Sequence, residues 1–181
     1  MTAATHIDEV ALVRRVREHA ADRDAAFAQL FEAYRVRVFT ICRHLVRTRA
    51  DAEDATQEVF VALFRALPGF RGDSSLATFI HRIAVRVGIK HGVRSSRHGS
   101  VPIDEATTAA PGAPEQLEAR EDQRRMWAAM DQLSLEHRSV LVLFTIDGLS
   151  HREIATILGI PEGTVWSRLH LARKRLAQLL A

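Results

Sequence analysis

Apolar residues recur at three- and four-residue spacing through most of the chain, and no segment sustains the two-residue alternation of a strand. The fold class this predicts is all-α, with eight helices. The first spans Ile7 to His19 on Val10, Val13 and Val16, and the second runs from Asp24 to about Arg47. Phe27, Leu30, Phe31, Tyr34, Val38, Ile41 and Leu45 give that second helix a continuous apolar stripe. Asp51 can cap a third, which buries Ala55, Val59, Leu63 and Phe64 and stops at Pro68 and Gly69. A fourth begins after Ser74 or Ser75 and carries Phe79, Ile80, Ile83 and Val87 out to about Arg94. The stretch SSRHGSVPIDEATTAAPGAPEQ then lacks apolar periodicity and holds three of the five prolines, as a linker does. Beyond it, Glu115 to Leu133 and Leu135 to Ile146 read as two more helices. The expected organisation is two small helical domains, 1–95 and 115–181, joined by a flexible acidic linker over 96–114.

The last thirty residues contain two amphipathic helices around a tight glycine turn, a helix-turn-helix. Ser150 with Glu153 three residues on forms a capping box, in which the hydroxyl accepts a helix N–H and the carboxylate reaches back to the cap. Ile154, Ala155 and Leu158 make the inner face, Gly159 ends the helix in the left-handed conformation, and Pro161 and Thr164 restart the chain. In the second helix Val165, Leu169, Ala172 and Leu176 share an inward stripe. The opposite face holds Gly163, Ser167, His170, Leu171 and Lys174, flanked by Trp166, Arg168, Arg173 and Arg175. Residues near the start of such a helix read base edges and later cations hold phosphates. Ser167 and His170 are therefore the base-contact candidates, and Arg168, Arg173, Lys174 and Arg175 the phosphate candidates. A solvated, dipole-complementing terminal helix is the alternative.

Charge sharpens this picture through its placement. The 181 residues carry a formal net charge of only +3. Phe79 to His98 holds Arg82, Arg86, Lys90, Arg94 and Arg97 without an acid, whereas Asp51 to Glu58 holds four acids without a base. The acidic stretch should repel DNA and suit a basic protein partner. Cys42, the lone cysteine, excludes an internal disulfide, and its apolar neighbours favour a buried small hydrophobe over a reactive thiol. No charged leader with an apolar run stands at the N-terminus, and no apolar stretch is long enough to span a bilayer, so a soluble, unprocessed cytoplasmic protein without membrane insertion is expected. Nine scattered histidines come without HExxH, GxSxG, a phosphate loop or paired cysteines. Neither an enzyme, a metal site nor a cofactor is expected.

Two stretches resemble bacterial RNA polymerase sigma factors of the extracytoplasmic-function (ECF) type. DAEDATQEVFVALFRALPGFRGDSSLATFIHRIA is similar to the family's second region, and LSLEHRSVLVLFTIDGLSHREIATILGIPEGTVWSRLHLARKRL to its fourth. The resemblance implies partners: the β′ and β subunits of core RNA polymerase, promoter DNA and an anti-sigma factor that clamps the two domains. It implies that Asp51, Asp54, Gln57 and Glu58 dock on a basic coiled coil of β′; the last three lie at i, i+3 and i+4 on one helix, and a plain solvated face is their alternative. It also implies that PGFRGDSSLATF opens the promoter's −10 element. Phe79 is the stacking candidate there, with Arg82 and Arg86 for the strand's backbone, and Gly72, Asp73, Ser74, Ser75 and Thr78 beside a flipped base. A core role for Phe79 and a helix-cap role for the Asp-Ser-Ser run are the alternatives. For the −35 element the implied set is Gly163, Thr164, Trp166, Ser167, Arg168, His170, Leu171, Arg173 and Lys174.

The chain departs from the family where Phe79 replaces a common Trp, and where Trp166, Leu171 and Val85 stand at often basic positions. For Trp166 three roles are open: stacking, packing on sugar, or bracing the domain. A rival reading, an operator-binding regulator with an N-terminal sensing or dimerising domain, leaves the acidic patch and the Gly-Asp-Ser-Ser loop without a purpose.

Overall fold

The computed structural model describes residues 9–18, 22–97, 114–145 and 148–181. The predicted linker therefore lies almost wholly outside the described residues, as do Ile7 and Ile146. Eight α-helices are present among the described residues and no strand: α1 Glu9–Glu18, α2 Arg23–Leu45, α3 Arg49–Ala66, α4 Leu76–Arg97, α5 Pro114–Asp131, α6 Leu135–Thr145, α7 His151–Leu158 and α8 Glu162–Leu180. A 3-10 turn, Leu67–Gly69, follows α3, where Pro68 and Gly69 end it as expected.

Each boundary has a local cause. The cap of α3 is Thr48, whose hydroxyl accepts from the Asp51 N–H at 3.0 Å, so Asp51 sits inside the first turn instead of capping it. There its charge still favours the positive helix end. Ser75 caps α4 by accepting from the Thr78 N–H at 3.1 Å. Helix α4 runs three residues past Arg94.

Helices α2, α3 and α4 bury one another along Leu30, Val38, Ile41 and Leu45; Ala52, Ala55, Val59 and Leu63; and Ile80, Ala84 and Val87, with α1 adding Leu12, Val13 and Val16. The α2 stripe is narrower than its pattern: Phe31 is exposed and Phe27 half-buried, their rings instead meeting Phe60 of α3 at 4.6 and 6.3 Å. Gly92 lets α4 lie against the end of α2, because a Cβ there would collide with the Leu45 carbonyl oxygen and crowd Leu135 of α6. Cys42 is fully buried, and burial pushes its thiol up to about 12, far from a reactive thiolate.

The C-terminal half packs α5 to α8 around Val140, Leu143, Ile154, Val165, Leu169 and Ala172. It also touches the N-terminal half through α2 with α6 and α4 with α7. At this joint the Trp127 ring stacks on His44 at 4.3 Å while the Arg43 guanidinium lies 4.3 Å over the same indole. Arg138, only 5% exposed, pairs with Asp131 at 3.0 Å, donates to the Asp131 and Leu133 carbonyls and makes a long 3.5 Å bond to the His44 carbonyl. A buried guanidinium is tolerated because most of its donors are matched. Burial, followed by the positive charges of Arg43 and Arg138, holds the His44 imidazole down at about 4.

Candidate polymerase and DNA surfaces

On α3, helical spacing places Asp54, Gln57 and Glu58 on one outward face, but packing treats them differently. Asp54 and Gln57 are exposed. Glu58 bridges to α4, with Oε1 2.6 Å from Lys90 Nζ and Oε2 2.7 Å from His91 Nε2. The hydrogen bonds from Lys90 and then His91 hold its carboxyl below the ordinary value. Asp51 accepts from Ser95 Oγ at 2.8 Å. Of the four docking candidates, Asp51 and Glu58 are thus turned toward α4, while Asp54 and Gln57 face solvent. Val61, 49% exposed one turn beyond Gln57 and Glu58, extends the face with an apolar patch. Its signal in the sequence was a valine on the polar stripe.

The second surface joins the loop before α4 to that helix. Gly72, with φ +83°, and Asp73 are exposed, and Ser74 is half-buried. Ser75 and Thr78 bond each other, hydroxyl to hydroxyl, at 2.8 Å as part of the helix cap. Phe79 is half-buried against Phe70, ring centroids 4.9 Å apart. Arg82 and Arg86 are exposed on the same face of α4 as Phe79. Arg82 reaches the other half of the molecule, Nη2 lying 3.5 Å from the Thr156 carbonyl of α7. Val85, at a position often basic in the family, is buried.

The third surface is α8, presented by α7. The capping box is complete: the Glu153 N–H donates to Ser150 Oγ at 3.3 Å, and the Ser150 N–H donates to Glu153 Oε2 at 2.9 Å. Ser150 Oγ also donates to Glu153 Oε2 at 2.6 Å, and this bond, followed by that from the Ser150 N–H, lowers the Glu153 carboxyl. Gly159 takes φ 65° and ψ 37°, a left-handed conformation that glycine adopts without a Cβ penalty, and Ile160 N–H closes on the Ala155 carbonyl at 3.1 Å. Ile154 and Ile157 are the buried residues of α7, while Ala155 and Leu158 are half-buried, so the inner face is rotated from the predicted one. Pro161 stands at the cap of α8, one residue before the first turn.

With Val165, Leu169 and Ala172 buried, the outer face of α8 is set. Gly163, Ser167, His170, Arg173, Lys174 and Arg175 are exposed, as are Trp166 (60%) and Leu171 (50%). Thr164 is half-buried, and Ser167 Oγ donates to its carbonyl at 3.0 Å, leaving the hydroxyl oxygen to accept from outside. Arg168 turns to α6, pairing with Glu136 at 2.9 Å, and the Arg173 guanidinium lies 4.6 Å over the Phe144 ring. Sequence reading did not single out His151, whose ring stacks on Trp166 at 4.2 Å with 16° between planes. Among the described residues no cluster of His, Cys, Asp and Glu could hold a metal, and no helix is long and apolar enough to cross a membrane.

Comparison with known proteins places both halves. Sigma-70 region 2 matches residues 30–98, and Sigma-70, region 4 matches residues 123–176. The ECF RNA polymerase sigma factor SigM of Mycobacterium tuberculosis is 33% identical over 162 residues, 90% of this chain and 81% of SigM. The ECF RNA polymerase sigma-E factor of Escherichia coli K12 is 34% identical over 160 residues, 82% of this chain and 83% of the relative. Among solved structures, CnrH in complex with the cytosolic domain of CnrY superposes with a TM-score of 0.69 and 25% identity, covering 94% of this chain and 95% of CnrH. RpoE of Bartonella quintana, in complex with the anti-sigma factor NepR, shares the fold at a TM-score of 0.68 and 23% identity, covering 85% of this chain and 96% of its own. An all-α chain with these two regions in this order, an acidic stretch on α3 in the first half and a helix-turn-helix in the second, belongs to the ECF RNA polymerase sigma factors.

Proposed function

We propose a division of labour among the three surfaces of this sigma factor. The α3 face, led by Asp54 and Gln57, docks on the β′ subunit of core polymerase, and Glu58 joins it by exchanging Lys90 and His91 for a basic partner residue. The loop at Gly72 to Ser75, with Phe79, Arg82 and Arg86, receives the opened −10 strand, where ring stacking and backbone contacts offset the cost of unstacking a base. The outer face of α8 enters the groove of the −35 element, Ser167 and His170 toward bases, Arg173 and Lys174 toward phosphates. The observation that carries this reading is the outer face of α8, exposed and basic on a helix whose opposite face is buried. An anti-sigma factor of the kind bound to the solved Bartonella relative is the proposed regulator.

Reconstitution tests the division. Core polymerase with this chain should initiate at discrete start sites on genomic fragments, and core alone should not. Phe79→Ala should leave polymerase binding intact while reducing permanganate reactivity of melted thymines. Normal reactivity in that variant would remove Phe79 from strand opening.

A further inference from the structure

Trp166 is the most exposed large ring on the surface assigned to DNA, and it is not loose. Its indole lies flat on His151, the first residue of α7, whose ring also meets Phe144 of α6 at 5.5 Å. A row of rings thus runs from the end of α6 to the outer face of α8. A side chain serving only as a brace would be buried by what it braces, yet 60% of Trp166 faces solvent. The stack therefore holds the ring in place and leaves much of it open.

We propose that His151 is a positioning residue for promoter recognition, fixing the Trp166 indole as an apolar reader of a thymine methyl group in the −35 groove. The inference rests on α8 entering that groove. Trp166 is the fifth residue of α8, within the N-terminal part of a recognition helix that reaches base edges. An indole has one donor, no acceptor and a broad apolar face. The apolar group that a base pair displays in the major groove is the thymine C5-methyl. Holding the ring before binding removes the rotamer entropy that a free side chain would lose on contact. At a position that is often basic in the family, this chain places a ring with a preference among bases.

The test uses reconstituted holoenzyme and duplexes enriched on it from a random-sequence pool. Each upstream thymine is replaced in turn by uracil, which removes the methyl group alone. Wild-type holoenzyme should lose about fourfold in affinity at one position, the equivalent of about 0.8 kcal/mol for one buried carbon. Trp166→Ala should bind thymine and uracil duplexes alike. His151→Ala should lose most of the discrimination, and His151→Phe, which keeps a stacking ring, should restore it; His151→Gln replaces the alanine variant if that one fails to assemble. A flat uracil scan, or discrimination unchanged in the ringless His151 variants, overturns the inference. Arg173→Ala with Lys174→Ala separates it from its parent reading: if that double variant leaves upstream binding intact, α8 is not in the groove; if it weakens all duplexes while the scan stays flat, only the role of His151 and Trp166 fails.

Discussion

The outward faces of α3 and α8 carry opposite charge, and they are also held in opposite ways. On α3 the acids compete for internal partners: Glu58 is taken by Lys90 and His91, and Asp51 by Ser95. On α8, apart from Arg168 paired with Glu136, internal contacts orient residues without covering them: Trp166 rests on His151, Arg173 on Phe144, and Ser167 on the Thr164 carbonyl. The first surface must exchange bonds to bind, so its net gain is the difference between two sets of contacts. The second is prearranged. A charged patch read from sequence counts both kinds alike, although only one is ready to use.

The largest expected effect breaks the joint between the halves. Arg138→Ala leaves Asp131 without its buried partner and should cost about 3 to 5 kcal/mol, read as a lowered urea midpoint. Next is acid. The folded chain resists protonating His44 down to about 4, against 6.5 for an ordinary imidazole, so the unfolded chain binds the extra proton between those values. The contribution of His44 is fully present above 6.5 and is lost as pH falls toward 4, up to about 3 kcal/mol. His44→Gln should flatten that part of the stability–pH curve.

The α3 comparison is sharpened by two variants side by side. Asp54→Lys should weaken core polymerase binding about thirtyfold, about 2 kcal/mol, with the urea midpoint unchanged. Glu58→Gln should weaken binding less and also destabilise the fold by less than about 1 kcal/mol, since the pair is largely solvated. Because the Glu58 carboxyl is lowered, its contribution is present above the ordinary 4.5 and fades as pH drops below it. Equal effects of the two variants on binding would mean that the internal pairs cost nothing to exchange. The smallest change expected is on α7: Ser150→Ala removes one half of the capping box and should lower the thermal midpoint by the equivalent of about 0.5 kcal/mol.

Much of this molecule was legible before any fold. The Ser150–Glu153 box, the left-handed Gly159 and the stop at Pro68 and Gly69 act within a turn of their own positions, so local chemistry was enough to place them. Periodicity likewise placed eight helices and separated the inner stripe of α8 from its outer face, because 3.6 residues per turn hold wherever a helix forms. What a helix face meets is another matter. That Glu58 is neutralised by α4, that Arg168 turns to Glu136, that Arg82 reaches Thr156 and that His151 lies under Trp166 are contacts between residues brought together only when helices pack. Their partners lie from 15 to 74 positions away in the chain, beyond the reach of any spacing rule. The sequence by itself determined which residues each helix would show to the outside; tertiary packing decided which of them arrive there with their bonds already spent.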